Sequence, residues 1–206
     1  MTGAIQLRRG VFPEHALDPL LAKLAHDLRG AAWLVTGALD TAAVRDEKAE
    51  LGVRKVQIAR RGAARVIRWA ELATKVAEAR RGELALLPQR GSVAALAERA
   101  AAAAALLSGK APGVEIIGEP AEAPLDEPLL VLLLSELLVL GDNPALQVDG
   151  TTLRLLGAAR PGPEPWTASN DLRASFAHAL LADALDALGA SLQVEPQQLT
   201  LRFSSG

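Results

Sequence analysis

Leu24-Ala25-His26-Asp27-Leu28-Arg29-Gly30-Ala31-Ala32-Trp33-Leu34-Val35 decides how the rest of the chain is read. Leu21, Leu24, Leu28, Ala31, Val35 and Ala38 recur at alternating steps of three and four residues, which predicts one apolar seam of a helix that packs on other helices. His26 is off that seam. At 100° per residue it sits about 160° from Leu28 and faces outward, and Trp33 returns to nearly the same angle. Gly30 and Gly37 lie beside them, so an imidazole flanked by bare backbone and a large aromatic forms a candidate docking surface.

Three readings of His26 stand side by side. A lone surface histidine is ordinarily a solvated residue. Asp27 offers a second reading: by accepting a hydrogen bond from one ring nitrogen it would orient the ring and leave the other nitrogen as a nucleophile. Imidazole titrates near ~6.5, so its neutral, nucleophilic form is well populated at neutral pH. Metal ligation is the poorer reading, because that face carries no second histidine, cysteine or carboxylate at ligand spacing.

The composition bounds the rest. With 206 residues there is enough chain for one or two domains and a substantial core. Half the residues are apolar, but only three Trp and three Phe are aromatic, so Ala, Leu and Val must build that core, which favours closely packed helices. The net charge is −2 with acids and bases interspersed, which gives bulk electrostatics no purchase on nucleic acid. The chain has no cysteine, which excludes disulfides, thiol catalysis and cysteine-based zinc sites. The N-terminus lacks a signal-peptide core, and the most apolar run, residues 129–140, contains Glu136 and is too short to span a bilayer. A soluble, cytoplasmic protein without a membrane partner is expected.

Working outward, residues 1–12 show little periodicity and are expected to form a loose arm. Asp18 and Pro19 signal a helix start, an N-cap followed by a proline pre-set at the first helical position. This first helix should run to about residue 39. A second should cover about residues 46–81, where Ala49, Val53, Val56, Ala63, Ile67, Ala70 and Ala77 keep heptad spacing between arginines and lysines. Gly52 and Gly62 weaken it by about 1 kcal/mol each relative to alanine. Two such helices joined by a short connection make an antiparallel hairpin over residues 13–87. One hairpin cannot cover both of its seams, so either a second copy completes a four-helix bundle across a two-fold axis or the rest of the chain covers them. The first alternative predicts a homodimer.

Leu87-Pro88-Gln89-Arg90-Gly91 breaks the helical pattern, and Ser92 offers a fresh N-cap. From there the chain reads as an alanine-rich helix (92–107), a strand (114–117), a buried helix opened by Asp126-Glu127-Pro128, a hairpin around Asp149-Gly150, a rigid proline-rich loop (160–165), a helix (171–188), and strands at 191–195 and 199–203. Residues 92–206 therefore predict an α/β sandwich with helices on one face of the sheet, in a chain that is α+β as a whole.

The order of these parts resembles the sensor histidine kinases. His26-Asp27-Leu28-Arg29 is similar to their phosphoacceptor box, with Ala31 where that box usually has proline, which implies a straighter helix. Residues 64–72 followed by Arg81-Gly82-Glu83-Leu84 are similar to the end of the family's second dimerisation helix. The α/β domain is similar in layout to the family's ATP-binding domain, but its ATP boxes are altered. Glu136 and Leu140 stand where the family has asparagines that hold magnesium and phosphate. Ala158-Ala159-Arg160-Pro161-Gly162-Pro163 stands where an aspartate-and-glycine loop reads adenine. The region 169–178, in place of the glycine-rich phosphate loop, contains no glycine.

A kinase-like chain that keeps the histidine and loses the nucleotide boxes resembles the dimeric histidine phosphotransferases of bacterial phosphorelays. The resemblance implies that His26 accepts a phosphoryl group from a phospho-aspartate on one receiver domain and passes it to another, with no cofactor bound by this chain and magnesium held on the receiver. It also implies response-regulator receivers, and a hybrid histidine kinase, as partners. Asp27 then orients the ring or is a solvated helix acid. Arg29 balances phosphate charge or pairs with a nearby acid. Gly30, Trp33 and Gly37 contact the receiver, unless Trp33 covers the second helix instead. His15 and His178 read as packing or hydration residues. A non-enzymatic adaptor or inhibitor docking on receivers or kinases is the alternative, and an active ATP-dependent kinase is disfavoured by Leu140 and the missing glycines.

Overall fold

The computed structural model describes residues 4–7, 30, 32, 33, 35, 37, 49–159 and 172–204. Among these, Gly30, Ala32, Trp33, Val35 and Gly37 have helical backbone. The long helix α1 (Ala49–Arg81) follows, and its 33 residues extend roughly 50 Å. It ends where Gly82 turns to φ +71°, with Gly82 N–H donating to the Ala79 carbonyl and Glu83 N–H to that of Glu78. Trp69, Leu72, Val76 and Ala79 bury one face of α1 against the rest of the chain.

Beyond α1 the chain forms β2 (Ala85–Leu86), β3 (Gln89–Ser92), α2 (Val93–Ser108), β4 (Gly113–Ile117), β5 (Glu122–Leu125), α3 (Glu127–Val139), β6 (Ala145–Asp149), β7 (Thr152–Leu156), α4 (Leu172–Ala187), β8 (Ser191–Glu195) and β9 (Gln198–Arg202). Ser92 caps α2 as its composition predicts, Oγ accepting from Ala95 N–H at 3.3 Å. Asp126 caps α3 and ties it to the preceding chain, one carboxylate oxygen accepting from Leu129 N–H (3.2 Å) and the other from Leu87 N–H (2.8 Å). Alanines 94, 97, 100, 101 and 104 are buried on α2, and small side chains at this interface let α2 and α3 approach closely.

The principal sheet has five strands in the order β4-β6-β7-β9-β8, mixed because β4 runs parallel to β6 while the other pairs are antiparallel. The β6-β7 hairpin turns at Asp149-Gly150 with Gly150 at φ +58°, the conformation an Asp-Gly turn requires. Leu146, Val148, Leu153, Leu155, Leu199 and Leu201 alternate onto the buried face, while Gln147 turns to the other face and meets Glu115 at 2.8 Å. The expected one-sided sandwich and the α+β class are what is observed. No helix among the described residues is long and apolar enough to cross a membrane.

Two readings need correction. Part of the arm expected to be loose is built into the fold: β1 (Ile5–Gln6) pairs antiparallel with β2, Leu7 N–H donates to the Leu84 carbonyl (2.9 Å), and Leu7 is buried. A two-residue strand has no periodicity to read, so its pairing is decided by the distant segment it meets. The stretch around Pro88 is likewise more than a break. Arg90 to Ser92 pair with Pro124 to Glu122 in the β3-β5 ribbon, which sequence alternation did not indicate because β3 has no large apolar residue and Pro124 interrupts β5. The first helix, its connection to α1, and hence the hairpin and bundle, fall largely outside the described residues.

Candidate functional site

His26, Asp27 and Arg29 lie outside the described residues, as do His15 and the segment 160–171. Gly30, Trp33 and Gly37 are described, and all three are exposed, Trp33 at 78% of its surface. A side chain built at Gly30 or Gly37 would meet nothing within 4 Å. At 100° per residue Gly30 and Gly37 fall about 20° apart with Trp33 within about 60° of both, while Val35, on the seam, is half-buried. Gly30, Trp33 and Gly37 therefore share one exposed side.

The same division runs along α1. Arg61, Arg65, Arg68, Trp69 and Leu72 share the face turned to the α/β domain. Arg65 Nε donates to the Leu107 carbonyl at the end of α2 (3.0 Å), and Arg68 donates to Ser135 Oγ on α3 (2.6 Å) and pairs with Glu71 (3.3 Å). Opposite them, Val56 (49% exposed), Ala63, Ile67 (60% exposed) and Ala70 form a bare apolar stripe at heptad spacing.

The position that the resemblance assigns to the first asparagine is occupied by a three-element cluster. Glu136 of α3 is buried, 3.6 Å from an Arg173 guanidinium nitrogen of α4. That guanidinium in turn lies over the ring of Trp69 of α1, 4.8 Å from its centroid. An acid inside a leucine-rich helix costs several kcal/mol unless a cation and hydrogen bonds meet it, and Arg suits the place because it remains charged and stacks flat on an aromatic face. Sequence reading missed Arg173 and Trp69. The signal was available: a lone carboxylate in the run Leu132-Leu133-Leu134-Ser135-Glu136-Leu137-Leu138 demands a countercharge from elsewhere in the chain.

The other segments that the resemblance pairs with ATP boxes are, where described, also integrated into packing. Leu140 caps the end of α3, its N–H donating to the Glu136 carbonyl (3.2 Å). Ala159 N–H donates to the Leu137 carbonyl (2.9 Å), and Ala158 and Ala159 pack on the core. Gly141 and Gly157 cross closely enough that a Cβ on either would stand 2.2 Å from a backbone carbonyl oxygen of the other strand of chain. On α4, Ser175 and Phe176 are buried, and burial lowers the pKa of His178, whose Nε2 has no hydrogen-bond partner among the described residues. No group of three potential metal-ligating side chains occurs among the described residues.

A cleft of about 820 Å³ opens between the lower part of α1, the β2-β3 connection and the start of α3. Its cations are each met by a carboxylate: Arg68 by Glu71 (3.3 Å), Lys75 by Glu78 (2.8 Å), Arg90 by Glu122 (3.3 Å) and Arg99 by Glu127 (2.5 Å). It carries no charge pattern that selects a ligand.

Among solved structures the chain is similar to the Acinetobacter baumannii histidine kinase AdeS, at 14% identity and a TM-score of 0.48, over 88% of this chain and 98% of that one. It is similar to a bacterial phosphotransferase at 14% identity and a TM-score of 0.43, over 95% and 98% of the two chains. It is also similar to a histidine kinase from Burkholderia phymatum STM815 at 16% identity and a TM-score of 0.38, over 93% and 97%. No protein-family model and no curated protein matches the sequence. At such identities the chemistry has to be argued from the residues of this chain.

Proposed function

We propose that this chain is a two-component phosphorelay protein, a histidine phosphotransferase that moves phosphoryl groups between receiver aspartates through His26 without using ATP. The observation that carries this reading is the cluster Glu136–Arg173–Trp69. A site that must hold magnesium and a triphosphate gains nothing from a buried carboxylate already paired with an arginine, whereas a domain released from nucleotide binding can use that space for packing. The box His26-Asp27-Leu28-Arg29 supplies the chemistry that remains.

In the proposed step a neutral nitrogen of His26 attacks the phosphorus of a phospho-aspartate. The P–N bond forms as the P–O bond to the aspartate breaks, and the carboxylate departs with the electron pair. The positive charge left on the ring is relieved through the other nitrogen, whose proton Asp27 is placed in sequence to receive or hold. The second transfer is the reverse reaction with a different receiver. Magnesium and the acidic pocket belong to the receiver, so this chain supplies a positioned ring and a docking surface. Gly30, Trp33 and Gly37 are the proposed contacts, and the bare stripe Val56, Ala63, Ile67 and Ala70 supports a homodimer built through the helices.

The test is a label-transfer assay. Wild-type protein should take ³²P from a phosphorylated receiver domain, and His26→Ala should accept none while keeping its far-UV spectrum and oligomeric state. Label arriving on His26→Ala would end the reading. Equilibrium dialysis against an ATP analogue addresses the remaining part: micromolar binding would return the chain to the ATP-dependent kinases.

A further inference from the structure

The principal sheet ends in two edge strands, and they are not alike. β8 pairs with β9 on one side and with no described strand on the other. The two-residue connection Pro196-Gln197 makes Glu195 and Gln198 the closing hydrogen-bonded pair, and hydrogen-bonded and non-hydrogen-bonded pairs alternate from there. Ser191, Gln193 and Glu195 therefore turn their backbone N–H and C=O groups to β9. Those of Leu192 and Val194 point away from the sheet, and no described residue meets them.

The side chains follow the same alternation. Leu192 and Val194 stand opposite the buried Leu201 and Leu199 and so lie on the core side of the sheet, yet Leu192 is only half-buried and Val194 is 49% exposed. Edge strands are ordinarily kept from pairing by lysine, proline, a bulge or an inward charge. β8 contains no lysine, arginine, proline or glycine, and its register with β9 is unbroken. At the opposite edge β4 carries Glu115 at its centre, so a two-fold pairing of all five of its residues would set that carboxylate against itself.

We infer that β8 is a self-association edge, which pairs antiparallel with β8 of a second copy across a two-fold axis at Gln193. The register that joins all five residues is self-complementary. Leu192 meets Val194 of the second copy, and the two exchange both backbone hydrogen bonds through the groups that point outward. Their side chains continue the leucine-rich layer from one sheet into the next. On the other face Gln193 meets Gln193 and Glu195 meets Ser191, so no like charges are opposed. The contact uses no residue of the relay reading and stands apart from it. It is also separate from the stripe on α1, so together the two contacts link dimers into larger assemblies. An edge this short is a small contact, and its self-association belongs near millimolar concentration, above that of the helical dimer.

The experiment uses the full chain carrying Ile67→Glu, which removes the proposed helical contact and leaves this one. The sequence has no cysteine, so single thiols can be placed at will. In the proposed register the two copies of residue 193 form a non-hydrogen-bonded pair with Cα atoms about 4.5 Å apart, within disulfide reach. Gln193→Cys should therefore give a disulfide-linked dimer under copper-phenanthroline oxidation at least tenfold faster than Ser191→Cys, whose Cα atoms would stand roughly 13 Å apart along the strands. Ile117→Cys, on the edge strand β4, should be equally slow. In sedimentation at millimolar concentration Val194→Pro and Val194→Lys should each weaken self-association at least tenfold. The proline removes an outward N–H that β9 does not use, and the lysine keeps that N–H but adds a charge. Far-UV spectra and thermal midpoints check that the variants fold. Equal rates for Gln193→Cys and Ile117→Cys would overturn the pairing, and equal rates for Gln193→Cys and Ser191→Cys would overturn its register. An Ile67→Glu chain that stays monomeric at millimolar concentration, or one whose association neither substitution at Val194 weakens, would also overturn it, whatever other protein strand the edge then accepts.

Discussion

Arg173 bridges two elements that meet through no sequence-local contact: its guanidinium covers the ring of Trp69 on α1 at 4.8 Å and stands 3.6 Å from the buried carboxylate of Glu136 on α3. One side chain from α4 therefore pins the long helix to the domain and neutralises a carboxylate within the leucine-rich core. Arg173→Ala should cost about 3 kcal/mol in urea unfolding, because it leaves Glu136 buried without this cation. Glu136→Gln in the same background should recover part of that loss. A double-mutant cycle with zero coupling between residues 136 and 173 would refute the pairing.

Gly141 and Gly157 are held against each other by backbone. A Cβ at Gly141 would lie 2.2 Å from the Gly157 carbonyl oxygen, and Asp142 N–H donates to that same oxygen at 2.8 Å. No flexible side chain can yield there. Gly141→Ala should cost upwards of about 2 kcal/mol, and Gly157→Ala should cost more because its φ of +62° is strained for alanine as well. Unchanged unfolding midpoints in both variants would exclude this crossing.

The stripe Val56, Ala63, Ile67 and Ala70 is bare in the single chain. Ile67→Glu should convert the proposed dimer to monomer in sedimentation at micromolar concentration, with the α/β domain still folded. Ile67→Leu should remain dimeric. A dimer unaffected by Ile67→Glu would place the subunit contact elsewhere.

Two groups on α4 titrate in opposite senses. Burial lowers the pKa of His178, so the unfolded chain takes up a proton below about 6.5 while the folded one does not. Its contribution to stability is complete above that pH, declines as the pH falls, and levels off once the folded value is passed. His178→Gln should flatten this part of the profile. Asp183 has its pKa raised by burial and secondarily by Asp186. Its ionised form therefore opposes folding once the pH exceeds the folded value, and Asp183→Asn should stabilise at neutral pH with no gain below about 3.8. Denaturant midpoints between pH 3 and 8 read both effects.

Legibility in the sequence followed the range of the interaction. Ser92 and Asp126 announce their helices because a cap is settled within four residues, and Asp149-Gly150 announces its hairpin for the same reason. Heptad spacing placed the end of α1 at Arg81, where it is observed. The strands β1, β3 and β5 were invisible, since segments of two to four residues are too short to show alternation and acquire strand geometry only from the partner with which they pair. Around the candidate site the sequence singled out Gly30, Trp33, Gly37 and Glu136, but not Arg173 or Trp69, which lie 37 and 67 residues from Glu136 along the chain.

By itself the amino-acid sequence determined the helices α1 to α4, the β6-β7 turn, the apolar stripe of α1 and the presence of glutamate at 136 and leucine at 140, all matters of local periodicity and side-chain type. Tertiary structure alone decided which face of α1 is pinned to the domain, that β4 joins β6 in parallel, and that Glu136 is answered by Arg173 over Trp69. The reason is physical: a cap or turn is selected by the free energy of a few adjacent residues. A buried charge is tolerated only when chain segments far apart arrive together and supply the opposite one.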